Sequence, residues 1–304
     1  MKVLVTGATG FIGTALVDAL LEQKYDVSVV SRKLSHFNSR ISVHNIDLLN
    51  SDFKALQLTD YDVIFNCAGE LKDNDKMRAL HVEVPLRMLS FLKGTKCRWV
   101  QLSSVGVYGK QMSGDIAENA SFEPEGDYEV TKAEAEQQVA SYCLANDINY
   151  SILRPSNVIG PKMPNDSMRN LVRTIAQGRF FYMAEPSKVQ MNFVHVDNVV
   201  SALMLCGFAS GAVGNAFNIS DQISQKQFVE QICLAVNRPV PKIYIPAGII
   251  KLCVYLLGWL PKFPFGIAAV NALTTQAVYS TEKIEKQLGF KKVVSLEKAI
   301  DAFI

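Results

Sequence analysis

The feature that most constrains the fold is a short β-branched run that leads directly into a glycine-rich turn. Lys2–Thr6 is predicted to be a buried strand, and Gly7, Gly10 and Gly13 follow it before a helical pattern begins at Thr14. Missing side chains at such a turn allow a pyrophosphate to approach the backbone, and the free N–H groups of the helix then attract the phosphates. The turn therefore predicts a dinucleotide site. Its candidate residues are Gly7, Thr9, Gly10, Phe11, Ile12 and Gly13.

The first half of the chain alternates short apolar runs with longer helical patterns, as expected of consecutive strand–helix–strand units. The predicted strands are Lys2–Thr6, Asp26–Ser31, Ile41–Asp47, Val63–Ala68, Arg98–Ser103 and Asn149–Arg154, with a helix over Thr14–Gln23. Strands that are apolar on both faces need helices on both sides. The predicted fold class is therefore α/β, a Rossmann-type doubly wound parallel sheet.

Beyond Arg154 the pattern changes, because three prolines cluster in a loop and only short extended pieces follow, such as Met191–Val196 and Ala216–Ile219. We expect a smaller mixed α/β substrate lobe here. The predicted cofactor domain comprises residues 1–155, with 190–220 returning to it, and the predicted substrate lobe comprises residues 156–189 and 221–304.

The composition argues against several kinds of partner. The 304 residues include 31 basic and 29 acidic ones, a formal charge of +2, without a basic run that would bind nucleic acid. The six cysteines lie far apart, which predicts buried thiols in a reducing compartment and no metal site. Because the N-terminus begins with a strand and lacks signal-peptide order, we expect a cytoplasmic protein.

One apolar segment, Ile243 to Leu260, is bounded by Pro246 and Pro261 and interrupted by Lys251. Spanning a bilayer takes about 20 apolar residues, so no transmembrane segment is predicted. We expect a buried or substrate-covering helix. A weak contact with a membrane surface and an oligomer interface are the alternatives.

The end of the second predicted strand bears on the form of the dinucleotide. NAD enzymes usually place an acidic side chain there, but this chain has Ser31, Arg32 and Lys33. The planar guanidinium of Arg32 suits a 2′-phosphate, which favours NADP(H) while leaving NAD(H) possible; an idle surface arginine is the alternative. The other candidate cofactor contacts at strand ends are Asp47, Leu48, Cys67, Ala68, Gly69 and Pro155.

The candidate chemical site combines Ser104, which follows the fifth strand, with Tyr128 and Lys132 on a helix that runs to about Ala145. Spacing of four residues puts the phenol and the ammonium on one helix face. A phenol has a reference pKa near ~10, and a nearby ammonium lowers it toward the range of a general acid/base. The serine hydroxyl would hold the substrate oxygen while hydride moves to or from its carbon.

Six motifs in this order resemble the extended short-chain dehydrogenases/reductases, which include NAD(P)-dependent epimerases, dehydratases and reductases acting largely on nucleotide-activated sugars. The motifs are Thr6–Gly13, Ser103–Gly109, Tyr128–Lys132, Arg154–Pro161, His195–Asn198 and Ser280–Phe290. The resemblance implies that Ser104 orients the substrate, that Tyr128 is the acid/base, and that Lys132 bridges Tyr128 to the nicotinamide ribose. It also implies a homodimer. The candidate substrate-binding residues are Ser104, Val105, Asn157, Arg169 and Arg173.

Two departures from the family pattern concern side chains near the substrate. His81 stands where many relatives have asparagine, and we expect it to pack or hydrogen-bond rather than to act as a second catalytic base. Met191 and Asn192 replace an arginine and an aspartate before Phe193, and that arginine usually grips a diphosphate. Arg169, Arg173 and Arg179 could supply the charge, or could form a solvated helix face.

The third departure concerns the cofactor, because sugar epimerases generally retain NAD⁺ whereas Arg32 suggests an exchangeable NADP(H). The leading hypothesis is therefore NADPH-dependent reduction of a keto group on a nucleotide-linked sugar of the 4-keto-6-deoxyhexose type, for surface polysaccharide. The alternatives are an NAD-retaining nucleotide-sugar 4-epimerase, a dehydrogenase of hydroxysteroids or other alcohols, and a catalytically silent dinucleotide-binding subunit.

Overall fold

A computed structural model describes residues 1–32, 37–109, 111, 113–164, 166–257, 267–301 and 303. The strands are β1 Lys2–Thr6, β2 Asp26–Ser31, β3 Ser42–Asn45, β4 Val63–Asn66, β5 Arg98–Leu102, β6 Ser113–Ile116, β7 Asn149–Pro155, β8 Asn157–Ile159, β9 Gln190–His195, β10 Asn215–Ile219, β11 Asp221–Ser224 and β12 Gln276–Tyr279. The α-helices are α1 Phe11–Glu22, α2 Asn74–Arg78, α3 Val84–Leu89, α4 Asp127–Ala145, α5 Ser167–Ala176, α6 Val196–Phe208, α7 Gln225–Ala235, α8 Ala247–Leu257, α9 Ile267–Ala272, α10 Glu282–Leu288 and α11 Leu296–Asp301.

Seven parallel strands form the central sheet in the order β10-β7-β5-β4-β1-β2-β3. On one face α1 and α6 bury residues such as Leu16 and Leu203, and on the other α3 and α4 bury Met88 and Val139 against Trp99. The predicted doubly wound Rossmann-type sheet is confirmed.

The predicted element ends differ from the observed ones where side chains bind the backbone. The third strand ends at Asn45 rather than Asp47, because the Asp47 carboxylate accepts hydrogen bonds from the Leu49 backbone N–H (3.1 Å) and the Asn50 amide (2.9 Å) and so closes a turn. Helix α1 begins at Phe11, three residues before the predicted start, because Gly10 already serves as its N-cap.

The remaining strands form two smaller sheets beside the carboxyl ends of the central strands. One has the order β11-β9-β8, and α5, α7 and α11 pack on it through Met168, Phe228 and Ile300. The other pairs β6 with β12 in parallel. Of the stretch 190–220 that the sequence assigned to the cofactor domain, α6 and β10 lie on the central sheet, whereas β9 belongs to the smaller sheet.

The apolar segment Ile243 to Leu260 contains α8, and its last three residues, 258–260, lie outside the described part of the chain. One side of α8 is buried through Ile250, but the other is exposed, which differs from the expected buried helix. Among the described helices, none has the length and apolar character needed to cross a membrane.

Candidate active site

The glycine turn packs tightly against the end of β4. Gly7 adopts a φ of +67°, and a β-carbon at this position would lie 2.5 Å from the Cys67 carbonyl oxygen. A β-carbon at Gly13 would lie 2.2 Å from the Gly7 carbonyl oxygen. A side chain at either position would push the turn away from the sheet, so the sequence of the turn fixes the close approach of loop, helix and strand.

The first turn of α1 fits a phosphate. Gly10 caps the helix without a side chain, and the first turn contains no acidic residue, so its N–H groups and the helix dipole face outward without a competing anion. Thr9 and Gly10 are exposed, and Phe11 and Ile12 are half-buried. These residues have the donor chemistry that a dinucleotide pyrophosphate requires.

The other candidate cofactor residues lie at the same edge of the sheet, because neighbouring parallel strands end together. Ala68 is buried beside Thr6, whose hydroxyl accepts a hydrogen bond from the Ala68 backbone N–H at 3.3 Å. Burial raises the pKa of the Cys67 thiol to about 12, which keeps it neutral. Leu48 packs into the core, and Pro155 is the buried last residue of β7.

Arg32 is exposed just after β2, and its neighbours 33–36, including Lys33, lie outside the described residues. Lys76, at the start of the helical region that follows β4, is ion-paired with Asp73, which raises the pKa of Lys76, whereas the charge of Arg32 lowers it. Ser31, which precedes Arg32, is buried. The exposed guanidinium of Arg32 suits an anionic ribose substituent.

Ser104 and Tyr128 meet at the end of β5. The Ser104 hydroxyl accepts a hydrogen bond from the Gly106 backbone N–H at 3.1 Å and also hydrogen-bonds the Tyr128 side chain. Tyr128 is the second residue of α4, and its side chain is half-buried. The two hydroxyl groups therefore lie within hydrogen-bonding distance of each other.

Lys132 lies one helical turn behind Tyr128 and is buried, with its ammonium donating to the Leu102 carbonyl oxygen at 3.0 Å. The ammonium lies 5.8 Å from the centre of the Tyr128 ring. Burial lowers the pKa of Lys132 to about 8. Lys132 is therefore largely protonated at neutral pH, but it loses its proton at a lower pH than an exposed lysine does.

The phenol of Tyr128 behaves differently from the sequence prediction. Burial, followed by the negative charge of Glu129, raises its pKa to about 12, and the hydrogen bond from Ser104 opposes this shift only in part. The expected lowering by Lys132 is wrong for the protein alone, because the ammonium faces the ring and the Leu102 carbonyl rather than the hydroxyl. Tyr128 is therefore a neutral proton donor at rest.

His81 links the loop after β4 to the helix that carries Tyr128. Its Nε2 accepts a hydrogen bond from the Glu70 backbone N–H at 3.0 Å, so Nδ1 carries the proton and donates to the Thr131 hydroxyl at 2.8 Å. The imidazole also packs edge-on against the Tyr128 ring, with ring centres 5.6 Å apart. Burial and the neighbouring Lys132 lower the pKa of His81 to about 3. The expected hydrogen-bonding and packing role is the one that the structure shows.

A cleft of about 630 Å³ opens in front of Ser104 and Tyr128, between the central sheet and the smaller β11-β9-β8 sheet. Val105 and Asn157, two of the candidate substrate-binding residues, line it. Half of the other lining residues are apolar. These apolar residues are Val158, Ile159, Met163, Met168, Leu171, Met191, Phe193, Ala272 and Leu273.

Neither Arg169 nor Arg173 lines this cleft. The guanidinium of Arg169 donates to the Pro161 and Met163 carbonyl oxygens at 3.1 and 3.2 Å, and that of Arg173 donates to the Asn170 side chain at 3.2 Å. Helix α5 turns Ser167, Met168 and Leu171 toward the cleft, whereas Arg169 and Arg173 lie on another side of the helix. Among the described lining residues there is no lysine or arginine, and Glu129 is the one charged side chain.

Several lining residues were missed from the sequence. Glu129 follows Tyr128 directly and could have been suspected, whereas Asn192 was noted only as the replacement of an aspartate. Ser156 and Asn192 each hold a buried side-chain oxygen for which the described residues offer no hydrogen-bond partner. Tyr279, from β12, also lines the cleft and stacks on Tyr108 with ring centres 6.0 Å apart. No local motif predicts Tyr279, since its position depends on a distant strand pairing.

The dinucleotide turn at one strand end and the Ser104, Tyr128 and Lys132 group beside it define a nicotinamide-dependent enzyme of the short-chain dehydrogenase/reductase type. The chain belongs to the NAD dependent epimerase/dehydratase family, whose model matches residues 3–220. The resemblance drawn from the six motifs is thereby confirmed.

Relatives with different chemistry match most of the chain. It is 26% identical over 272 residues to a UDP-glucose 4-epimerase of Vibrio cholerae, covering 84% of this chain and 82% of that protein. It is 25% identical over 338 residues to the mouse (Mus musculus) sterol-4-alpha-carboxylate 3-dehydrogenase, decarboxylating, covering 99% and 89%. The structure of a Bacillus cereus UDP-glucuronic acid 4-epimerase in complex with NAD superposes with a TM-score of 0.76 at 23% identity, covering 99% and 97%, which supports the fold.

Proposed function

We propose that this chain interconverts the C4 epimers of a nucleotide-linked hexose by means of a bound nicotinamide dinucleotide. The observation that carries the proposal is the shared position of the Ser104 and Tyr128 hydroxyls on the wall of one cleft, which Asn157 also lines. The 4-epimerases among the relatives support this reading over the keto reduction that the sequence favoured.

Different residues of the chain hold the substrate oxygen, move its proton and stabilise the phenolate. Ser104 holds the oxygen. Tyr128 donates its proton when the ketone is reduced; for oxidation of a hydroxyl it first loses its own proton to solvent, and the phenolate then takes up the hydroxyl proton. The protonated Lys132 stabilises the transient phenolate. When bound, a nicotinamide dinucleotide would supply the hydride acceptor and donor for the neighbouring carbon. Glycines 7, 10 and 13, with the start of α1, would hold its pyrophosphate.

Epimerisation is tested by incubating the purified chain with UDP-glucose, UDP-N-acetylglucosamine and UDP-glucuronic acid without added cofactor, and following the C4 epimer by NMR. We expect an epimer from at least one sugar, and none with the Tyr128→Phe variant. Failure with every UDP- and dTDP-hexose would overturn the proposal.

Keto reduction is the second candidate, favoured by the exposed Arg32 that follows β2. Its guanidinium supports NADP(H) as the cofactor, and NADP(H) exchanges in a reductase. Oxidation of added NADPH in the presence of dTDP- or UDP-4-keto-6-deoxysugars distinguishes the two reactions, because an epimerase consumes no net cofactor.

A hydrophobic alcohol is the third candidate substrate. The apolar wall built by Met163, Met168, Met191 and Phe193 favours it, because a diphosphate gains little from such a surface. The sterol dehydrogenase among the relatives also supports it. NAD⁺ or NADP⁺ reduction with hydroxysteroids tests this reading.

A cytoplasmic location and a homodimer remain predictions, and ultracentrifugation of the purified chain tests the dimer.

A further inference from the structure

One exposed helix face lies beyond the candidate active site. Ile249, Leu252 and Tyr255 follow at intervals of three residues along α8, and 54%, 57% and 84% of their surfaces are exposed. Scattered exposed apolar residues are ordinary, but a contiguous set on one helix face marks an interaction surface. We refer to these three residues as the docking face.

Buried contacts on the inner side of α8 fix the position of the docking face. On the inner side of α8, Ile250 packs with Met183 and Val270, and the Ala247 backbone N–H donates to the Met183 carbonyl oxygen at 3.0 Å. The preceding residues are also fixed, since the Tyr182 backbone N–H donates to the Ile243 carbonyl oxygen at 2.9 Å. The exposed apolar side chains therefore belong to a packed helix.

The stretch of sequence that carries the docking face has charges of a single sign. Residues 231–281 contain four basic residues and no acidic one, although the whole chain has nearly equal numbers of each. Arg238, Lys242 and Lys251 are exposed, and Lys251 borders the docking face on the same helix. Lys262 lies outside the described residues.

We propose that the docking face binds the surface of an anionic lipid bilayer, with α8 lying in the plane of the interface. An amphipathic interfacial helix combines apolar and aromatic side chains on one face with bordering lysines, whose heads reach the phosphates. A second copy of the chain fits less well, because a symmetric contact would bring these basic residues against each other.

A residue packed behind α8 also reaches the candidate active site. Leu273 packs with the residues behind α8 and also lines the cleft in front of Tyr128. Docking would therefore bring the cleft close to the bilayer surface. Membrane binding does not depend on the proposed epimerase activity and is measured without substrate.

The test is flotation of the purified full-length chain with vesicles of phosphatidylcholine, with or without phosphatidylglycerol. We expect flotation with the anionic vesicles that weakens at high salt. The variant Ile249→Ser/Leu252→Ser/Tyr255→Ser should lower the partition coefficient at least roughly tenfold. The variant Lys242→Glu/Lys251→Glu should lower it by roughly fivefold or more for each residue, on anionic vesicles only.

The matched control is Leu144→Ser/Val293→Ser, which removes two equally exposed apolar side chains from other parts of the fold and should float like the wild type. Circular dichroism and dinucleotide binding verify that each variant is folded. The proposal is overturned if the wild type does not float at low salt, or if the triple serine variant floats as well as the wild type. The proposal is also overturned if the wild type is a dimer that does not bind vesicles and the triple serine variant is a monomer. The docking face would then be a contact between two copies of the chain.

Discussion

Arg154 and Glu136 form a buried ion pair that fastens α4 to β7. The Arg154 Nε donates to both carboxylate oxygens of Glu136, at 2.9 and 3.0 Å, and both side chains are about nineteen-twentieths buried. The guanidinium also donates to the Tyr108 hydroxyl and, at 3.0 Å, to the Glu118 carbonyl oxygen. Because Glu136 follows Lys132 by one helical turn, the pair holds the helix that carries Tyr128 and Lys132.

Removing one partner of this pair should cost much stability. We expect Glu136→Gln to lower the free energy of unfolding by about 3 kcal/mol, because an uncompensated guanidinium stays buried. Urea denaturation measures the change. Glu134→Gln is the matched control on the same helix: its partner Arg78 is exposed, and a loss under about 1 kcal/mol is expected. Equal losses in the two variants would contradict the argument.

Tyr128→Phe should lower kcat by roughly 10²-fold or more while leaving dinucleotide affinity nearly unchanged, because it removes only the hydroxyl that moves the proton. Tyr142→Phe, on the same helix but beneath Lys93, is the control and should retain wild-type kcat. Steady-state kinetics and fluorescence titration with the dinucleotide separate the two effects. A Tyr128→Phe variant with full kcat would exclude Tyr128 as the acid/base.

Lys132 should destabilise the protein at neutral pH in the absence of cofactor. Its pKa is about 8 when folded and 10.5 when unfolded, so the unfolded chain binds more protons between these values. The free energy of unfolding therefore rises between pH 8 and 10.5. Below pH 8 the ammonium is charged in both states, and folding carries the full cost of burying that charge. We expect Lys132→Met to be more stable than the wild type at pH 7, on the order of 2 kcal/mol. Denaturation at pH 7 and 10.5 checks that the difference shrinks.

His81 should stay neutral across the physiological range. With a folded pKa of about 3 against 6.5 unfolded, it lowers stability progressively as pH falls between these values. Long-range ¹H–¹⁵N NMR spectra should show the proton on Nδ1 and no titration between about pH 5 and 8. His81→Phe should cost about 2 kcal/mol through the lost hydrogen bonds to Glu70 and Thr131. A midpoint near the ordinary histidine pKa would refute this account.

The Arg32 side chain should strengthen the binding of NADP⁺ and leave the binding of NAD⁺ nearly unaffected. We expect Arg32→Ala to weaken NADP⁺ binding by roughly tenfold, since it removes a charge-assisted contact, and to leave NAD⁺ binding within about twofold. Isothermal titration with both dinucleotides measures this. The Arg40→Ala variant, which alters another exposed arginine nearby in the sequence, is the control. Equal effects of Arg32→Ala on both dinucleotides would exclude a contact with the 2′-phosphate.

Short sequence patterns predicted the elements whose ends depend on residues close to them in the sequence. The bounds of β1 and β2 were obtained from the sequence alone, because apolar strands end where a glycine or a charge follows. The tight turn at Gly7 and the meeting of Ser104 with Tyr128 follow from strand order, which parallel topology restricts to few choices.

Tertiary contacts decided the rest. Arg169 was expected at the substrate, but the rotation of α5 turns it toward the Pro161 and Met163 carbonyl oxygens. The Tyr128 pKa depends on burial, which a spacing of four residues cannot reveal. The exposed side of α8 was expected to be buried, since apolar composition alone does not say what a helix packs against.

The pairing of β6 with β12 has a consequence for biosynthesis. The Thr275 hydroxyl donates to the Gln111 carbonyl oxygen, 164 positions earlier in the chain, and Tyr279 reaches the cleft only through this pairing. The glycine turn, by contrast, needs only β1, α1 and β4, all made within the first quarter of translation. A ribosome-bound chain would thus form its dinucleotide turn long before its substrate cleft, and a chain truncated before residue 276 would keep the first and lack a wall of the second.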